Sequence, residues 1–523
     1  MPHTYLGHKE KRCLSDRFVL NLTCGRGLIV KKVILFVIDS LHPVVLEKVL
    51  AEGKTPAFRF LAKQGTYIER VVSSFPTMTP VATSSMITGT WSDRHAVPGF
   101  IWYNEEIRKI VDYGATWQSV LRIGPEKVLR NQLIRLNEEH LNSETPTLYE
   151  MLESGGYSTG CVNFFMHRAA HLYRVKLPFL IALATRFGLK QEKVSGPSQL
   201  ILGQLIQPFL SGRLNTYPRG VFQRFGFNDA FSAKIAAQLV REGKQPDFMV
   251  VYFPDNDKYS HKYGPLCTGS SLEQVDRHVA AVLDEFDSWE KALEENMIIV
   301  TGDHSQTAVG FGNEYLIDLD RALKSFKRLK ATEEASEDNN KEIAICPNER
   351  MAFIYLLQRE TKILPDVVSV LVKDSRYAQI AWKVSENRYC VLQGGTEKQL
   401  FFSRLGPYQD VYGQSWSWEG DLSVVDVYVS GDQKIEFGKF PDAFTRLISA
   451  LEVRHESRVV LSAASGYEYL ALGAPIHPGG GSHGSLEAED STVPMIISEM
   501  SVRLEQARII DLFPMILRHF GLS

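Results

Sequence analysis

At 523 residues the chain has material for one large core with insertions, or for two or three ordinary domains. Its composition, 44% hydrophobic and 23% charged with a net charge of -3, is that of a globular chain and argues against a nucleic-acid polymer as partner. The six cysteines (Cys13, Cys24, Cys161, Cys267, Cys346 and Cys390) show no CxxC spacing, which argues against a thiolate cluster or a disulfide scaffold and leaves reduced thiols.

Residues 1–30 read as a polar extension with no apolar run of signal-peptide length, and no window of the chain reaches the length of a membrane span, so the expectation is a cytoplasmic protein. Residues 33–38 (VILFVI) are a continuous apolar run ending at Asp39, the mark of a strand buried on both faces. A helical pattern follows over 44–53. Further on, helix-like stretches (147–154, 230–241, 272–287) alternate with apolar runs (157–164, 248–253, 297–301). This alternation predicts an α/β fold with a doubly wound, mostly parallel sheet flanked by helices, its core spanning 31–330 and 466–523.

Two stretches break the rhythm. Residues 166–227 mix apolar pieces with nine Lys or Arg against the single acid Glu192, and read as a helical insertion with a solvated basic face. The sharper alternative is a lid or a peripheral membrane surface that attracts an anionic substrate. Residues 331–465 open on the acidic loop 333–342 and continue with short β-like segments at 351–357, 380–384 and 424–429, which predicts a smaller mixed α+β cap.

Asp and His residues fall where apolar runs end: Asp39 after VILFVI, Asp257 and His261 after FMVVYFP, Asp303 and His304 after MIIVTG, and His483 in the glycine-rich HPGGGSHGS. In open α/β sheets, ligands bind at the carboxyl ends of strands, so these residues are expected to converge on one crevice. Carboxylate and imidazole donors without thiolates suit Zn²⁺ and its first-row neighbours, Mn²⁺ included. Three Asp and three His are enough for two divalent ions with three protein ligands each, the arrangement that phosphoryl-transfer catalysts use. Each motif alone has a plainer explanation, a helix-surface ion pair for DxxxH and a helix N-cap for a strand-end Asp. The hydroxyl-rich stretch FPTMTPVATSSMITG, residues 75–89, offers the candidate nucleophiles.

The order of Asp39, PTMT followed by TG, DxxxH, DH and GSHG resembles the alkaline phosphatase superfamily, and within it the type I phosphodiesterase / nucleotide pyrophosphatase family, over about residues 31–310 and 475–500. The resemblance implies an alkaline phosphatase-like core and makes Thr79, ten residues before Gly89, the nucleophile that forms a phosphothreonine. It places one metal ion on Asp39, Asp303, His304 and Thr79 and another on Asp257, His261 and His483, most often zinc. The implied activity is hydrolysis of a phosphate ester, a nucleotide or other diester. A phosphomonoesterase or phosphonate hydrolase on the same site is the alternative, and a non-catalytic metal-stabilised binding protein a third reading. The family's phosphate-binding asparagine, twenty-one residues after the nucleophile, is replaced by Phe100; Asn104, four residues on, and Asn163, closing the strand at 157–164, are the substitutes considered.

Overall fold

The computed structural model describes residues 30–114, 116–186, 188–189, 192–206, 220–336, 338–357, 363–471, 473–502, 504 and 506–522. The extension expected over 1–30, with Cys13 and Cys24, lies outside them apart from Val30. Among the described residues the other four cysteines are free.

The strand Lys32–Ile38 lies at the centre of a seven-stranded sheet whose order is Thr66–Val72, Thr492–Ile497, Asn296–Gly302, Lys32–Ile38, Phe248–Phe253, Thr159–Val162 and Gln199–Ile201. Every neighbouring pair is parallel except those made by Thr492–Ile497, which runs against both its partners. The continuous apolar run follows from burial on both faces. Val33, Leu35 and Val37 point into one core, and Ile34, Phe36 and Ile38 into another. The second core is closed by the helices Pro43–Ala51, Pro56–Gln64, Asp229–Arg241 and Gly269–Leu283. The first is shared with the helices Thr79–Thr88 and Leu148–Ser154.

Residues 343–463 carry a nine-stranded sheet, from Ile343–Asn348 to Arg458–Ala463, with the helices Leu364–Leu371 and Ala443–Glu452. Its strands pair antiparallel except Gln399–Asp410 with Lys434–Phe437. Phe353, Trp416 and Phe444 from this stretch belong to the same core as Val33 and Leu35, so the insertion is packed onto the main sheet.

Two local expectations are corrected. Over 424–429 the chain first makes a 3-10 turn, Leu422–Val425, because the Asp421 side chain accepts the Ser423 N–H; the strand begins only at Val427. The basic stretch 166–227 is mainly not helical in its described part. It forms the hairpin of His171–Arg174 with Lys193–Gly196 and supplies Gln199–Ile201 to the edge of the main sheet, leaving the short α-helix Phe179–Ala184 and the 3-10 stretch Val221–Gly226. Residues 207–219 of that stretch lie outside the described residues. Among the described residues no helix is long and apolar enough to cross a membrane.

Candidate active site

Thr79 opens the helix Thr79–Thr88, with Pro80 in its first turn and Gly89, at φ 64°, ending it. Most hydroxyls of this segment are used locally: Thr83 Oγ1 donates to Thr79 O, Ser84 Oγ to Pro80 O and Thr88 Oγ1 to Ser84 O. Ser85 Oγ pairs with the buried His95 Nε2 at 3.1 Å, and burial pushes that imidazole down to about 3, so His95 is a neutral structural group. Thr79 differs, because its Oγ1 lies 3.2 Å from His304 Nε2 and the residue lines a cavity of about 240 Å³. Asp257, His261, His483 and Phe100 line the same cavity.

Each imidazole is turned by its other nitrogen. His261 Nδ1 is 2.8 Å from Gly481 O, His483 Nδ1 2.6 Å from Thr77 O and His304 Nδ1 3.1 Å from Ser305 O. A ring that donates Nδ1–H to a carbonyl presents a lone pair at Nε2, the arrangement of a metal-ligating histidine. The carboxylates follow the same logic. Asp39 Oδ2 accepts from Tyr252 OH, and Asp303 Oδ1 accepts from Ser40 N and His304 N. Their other oxygens, Asp39 Oδ1 and Asp303 Oδ2, are buried without a hydrogen-bond partner and lie 3.6 and 3.7 Å from His304 Nε2.

Buried oxygens left unpaired are costly, and a cation removes the cost. With bonds of about 2.0–2.1 Å, the donors around a tetrahedral ion stand about 3.3 Å apart, close to the separations of Thr79, Asp39 and Asp303 from His304. The residues therefore fit a divalent cation. Three groups of donors each lie within 4.8 Å of one another: Asp39, Asp303 and His304; Asp257, His304 and His483; and His261, Glu349 and His477.

The electrostatics are those of crowded acids facing imidazoles. Burial, then the charges of Asp303 and Asp257, holds Asp39 well above the usual carboxylate range. Burial with Asp257 nearby raises Asp303 to about 7. Burial and His483 bring His304 down to about 3. At Asp257 burial is outweighed by His261, His483 and His304, which hold it well below the ordinary value. At His261 burial is outweighed by Asp257 and Glu349, which raise it to about 10.

All seven residues assigned through the resemblance are thus brought to one place, and Phe100 lies in the cavity wall. The two asparagines are elsewhere. Asn104 Oδ1 accepts Glu106 N and Ile107 N in the turn of its hairpin, while Asn163 bonds Gly226 O, Ser232 Oγ and Gly203 N. Asn104 thus satisfies the backbone of its own turn, and Asn163 ties three distant segments together.

Five residues that the sequence reading passed over take part: Ser40, Gln306, Asn348, Glu349 and His477. Ser40 Oγ and Gln306 Nε2 each donate to Asp257 Oδ1 at 2.7 Å. Gln306→Ala is expected to weaken the second cation by about 10–100-fold, the usual cost of losing a group that orients a ligand, and a competitive-chelator titration measures it. Asn348 lines the cavity and bolts its turn to the Phe100 segment by accepting Phe100 N and Ile101 N. Gly484, at φ 113°, follows His483, where a Cβ would stand 2.3 Å from Asn348 O. That close approach is the reason for the glycine of GSHG.

Residues 33–400 match the family model described as type I phosphodiesterase / nucleotide pyrophosphatase. The chain belongs to that family. Its fold is alkaline phosphatase-like: murine ectonucleotide pyrophosphatase / phosphodiesterase 5 is similar at a TM-score of 0.53 and 13% identity, over 94% of this chain and 96% of that one. Phosphonoacetate hydrolase from Sinorhizobium meliloti 1021, in complex with phosphonoformate, is similar at 0.54 and 15%, over 92% and 95%. A stretch of 88 residues, 17% of this chain, is 33% identical to the 2,3-bisphosphoglycerate-independent phosphoglycerate mutase of Pyrococcus horikoshii; the match spans about a fifth (19%) of that protein's length.

Proposed function

We propose that the chain is a hydrolase that cleaves phosphodiester or pyrophosphate bonds with two divalent cations and a phosphothreonine intermediate on Thr79. The observation that carries this reading is the placement of Thr79 Oγ1, 3.2 Å from His304 Nε2 and facing the cavity that Asp257, His261 and His483 line. Asp39, Asp303, His304 and Thr79 would hold one cation, and Asp257, His261 and His483 the other. Their donor chemistry suits zinc or a first-row neighbour such as manganese. When bound, such a pair lowers the pKa of a coordinated hydroxyl and stabilises the attacking and leaving oxygens of an in-line displacement.

The rest is done by the chain itself. Thr79 stands at the N-terminus of a ten-residue helix, whose positive end favours an anionic phosphoryl group. Thr79 Oγ1 forms the bond to phosphorus as the bond to the leaving oxygen breaks. Water then cleaves the phosphothreonine and restores the hydroxyl. In support, the murine relative has been solved as an inactive threonine-to-alanine variant in complex with AMP.

Hydrolysis of a phosphomonoester or a phosphonate is the second reading. Phe100 stands in the cavity wall at the position where the resemblance expects a phosphate-binding asparagine, and the phosphonoacetate hydrolase shares the fold. Purified protein with Zn²⁺ or Mn²⁺ should turn over bis(p-nitrophenyl) phosphate and p-nitrophenyl thymidine monophosphate faster than p-nitrophenyl phosphate or phosphonoacetate. The reverse order would assign the second reading.

A further inference from the structure

We propose that Glu349, carried on the tip of the inserted sheet, is a fourth protein ligand of the second cation. This rests on the two-cation reading and adds to it a residue from outside the strand-end motifs.

Glu349 sits between the strands Ile343–Asn348 and Met351–Leu356. A glutamate at a hairpin tip is ordinarily solvated, yet this one is 5% exposed and has a left-handed backbone at φ 58°. A strained, buried acid at a turn persists only where its surroundings enforce it. Here all three turn residues are fixed: Asn348 to the Phe100 segment, Glu349 O by Tyr469 N, and Arg350 N by His483 O. The Glu349 carboxylate accepts Ser482 Oγ at 2.9 Å and His483 N at 3.2 Å on Oε2.

The separations of the donors close into a ring. Asp257 Oδ1 is 3.2 Å from His261 Nε2, which is 3.8 Å from Glu349 Oε1; Glu349 Oε2 is 3.4 Å from His483 Nε2, which is 3.9 Å from Asp257 Oδ1. These edges bracket the spacing of about 3.3 Å expected between donors of a tetrahedral zinc-like ion. The two carboxylates, Asp257 and Glu349, also match the charge of a dication. A separate third cation on Glu349 and His477 is the competing arrangement. It would have to take His261 away from Asp257, because each group uses the single free nitrogen Nε2, and His477 Nδ1 is already 3.2 Å from Glu468 Oε2. His477 is then a flanking ring, stacked on His261 at 4.0 Å between centroids.

The test is titration of the full-length protein with Co²⁺, following visible absorption and bound metal. Wild type should take two ions. Glu349→Gln should keep the first and bind the second about 10–100-fold more weakly or worse, with an altered visible spectrum, since loss of a direct ligand costs at least as much as loss of a group that orients one. Retention of the first ion shows that the variant is folded; should it not fold, Glu349→Asp, which keeps the charge but shortens the reach, should also shift the second spectrum. Unchanged affinity and spectrum in a folded variant, or three ions in wild type, would overturn the proposal while leaving two-cation chemistry intact. If His483→Ala keeps its second ion, or wild type binds none, the underlying reading has failed and the proposal with it.

Discussion

Thr79→Ala should lower turnover of a phosphodiester by about 10⁴-fold or more, as is found when an enzyme loses its nucleophile, while at saturating metal Asp39, Asp303 and His304 still hold the first cation. The separation follows from the geometry. Asp39, Asp303 and His304 keep their mutual placement without the threonine, because Tyr252, Ser40 N and Ser305 O hold them. The methyl of alanine leaves the helix start intact, and Pro80 still fixes its first turn. Thr79→Ser restores a hydroxyl at the same position and should recover a measurable part of the rate. Metal analysis alongside steady-state kinetics on bis(p-nitrophenyl) phosphate checks both statements; full activity in Thr79→Ala would remove the nucleophile assignment.

The largest effect on stability is expected at Arg350. Its guanidinium is fully buried and meets five acceptors: Tyr467 O, Ser485 Oγ, Asp490 Oδ1, Ala464 O and Glu487 Oε2. Arg350→Ala leaves Asp490 buried without its cation and Glu487 with Lys439 alone, and removing one partner of such a buried pair costs about 3–5 kcal/mol. The pH dependence carries a sign. At Glu487 burial, which would raise the carboxyl, is outweighed by Arg350 and Lys439, so its folded-state pKa is depressed. A depressed acid contributes stability above its unfolded value and loses it as the pH falls through the folded one. In the variant only Lys439 is left to oppose burial, so the depression shrinks, and with it the stability that Glu487 adds above its unfolded value. The difference between wild type and Arg350→Ala, measured by urea denaturation, should therefore be larger at pH 7.5 than at pH 4. A constant difference would mean that Glu487 is not the group left behind.

What could be read in advance was whatever local chemistry announces. The strands Lys32–Ile38 and Phe248–Phe253 are legible because burial on both faces writes an unbroken apolar run. Asp39, Asp303 and His304 are legible because they end such runs. His483 stands out through the glycines around it, where Gly480 and Gly484 come within the reach of a Cβ from His261 O and Asn348 O.

Glu349 gives no comparable signal. In the sequence ICPNERMAF it reads as a polar turn, and its burial is created by residues 482 and 483, more than 130 positions away. The hairpin of His171–Arg174 with Lys193–Gly196 escaped for a related reason. Its two arms are four residues each and separated by eighteen, too short and too far apart for periodicity to pair them. Asn104 and Asn163 are the opposite case: both stand at strand ends, yet their side chains are already engaged within the fold, which the sequence does not announce.

The strand Thr66–Val72, which leads into the Thr79 segment, has a single partner in the main sheet, Thr492–Ile497. The loop carrying His483 is clipped to the same segment by two bonds, His483 Nδ1 to Thr77 O and Gly484 N to Thr77 Oγ1. During synthesis, at about 5–20 residues per second, the roughly 400 residues that separate these pieces take about 20–80 s to emerge. Throughout that interval Thr79 exists without its last imidazole and on a strand with nothing to lean on. The candidate site is thus among the last parts of the molecule to be assembled, and the nascent chain carries Thr79 long before the residues that face it exist.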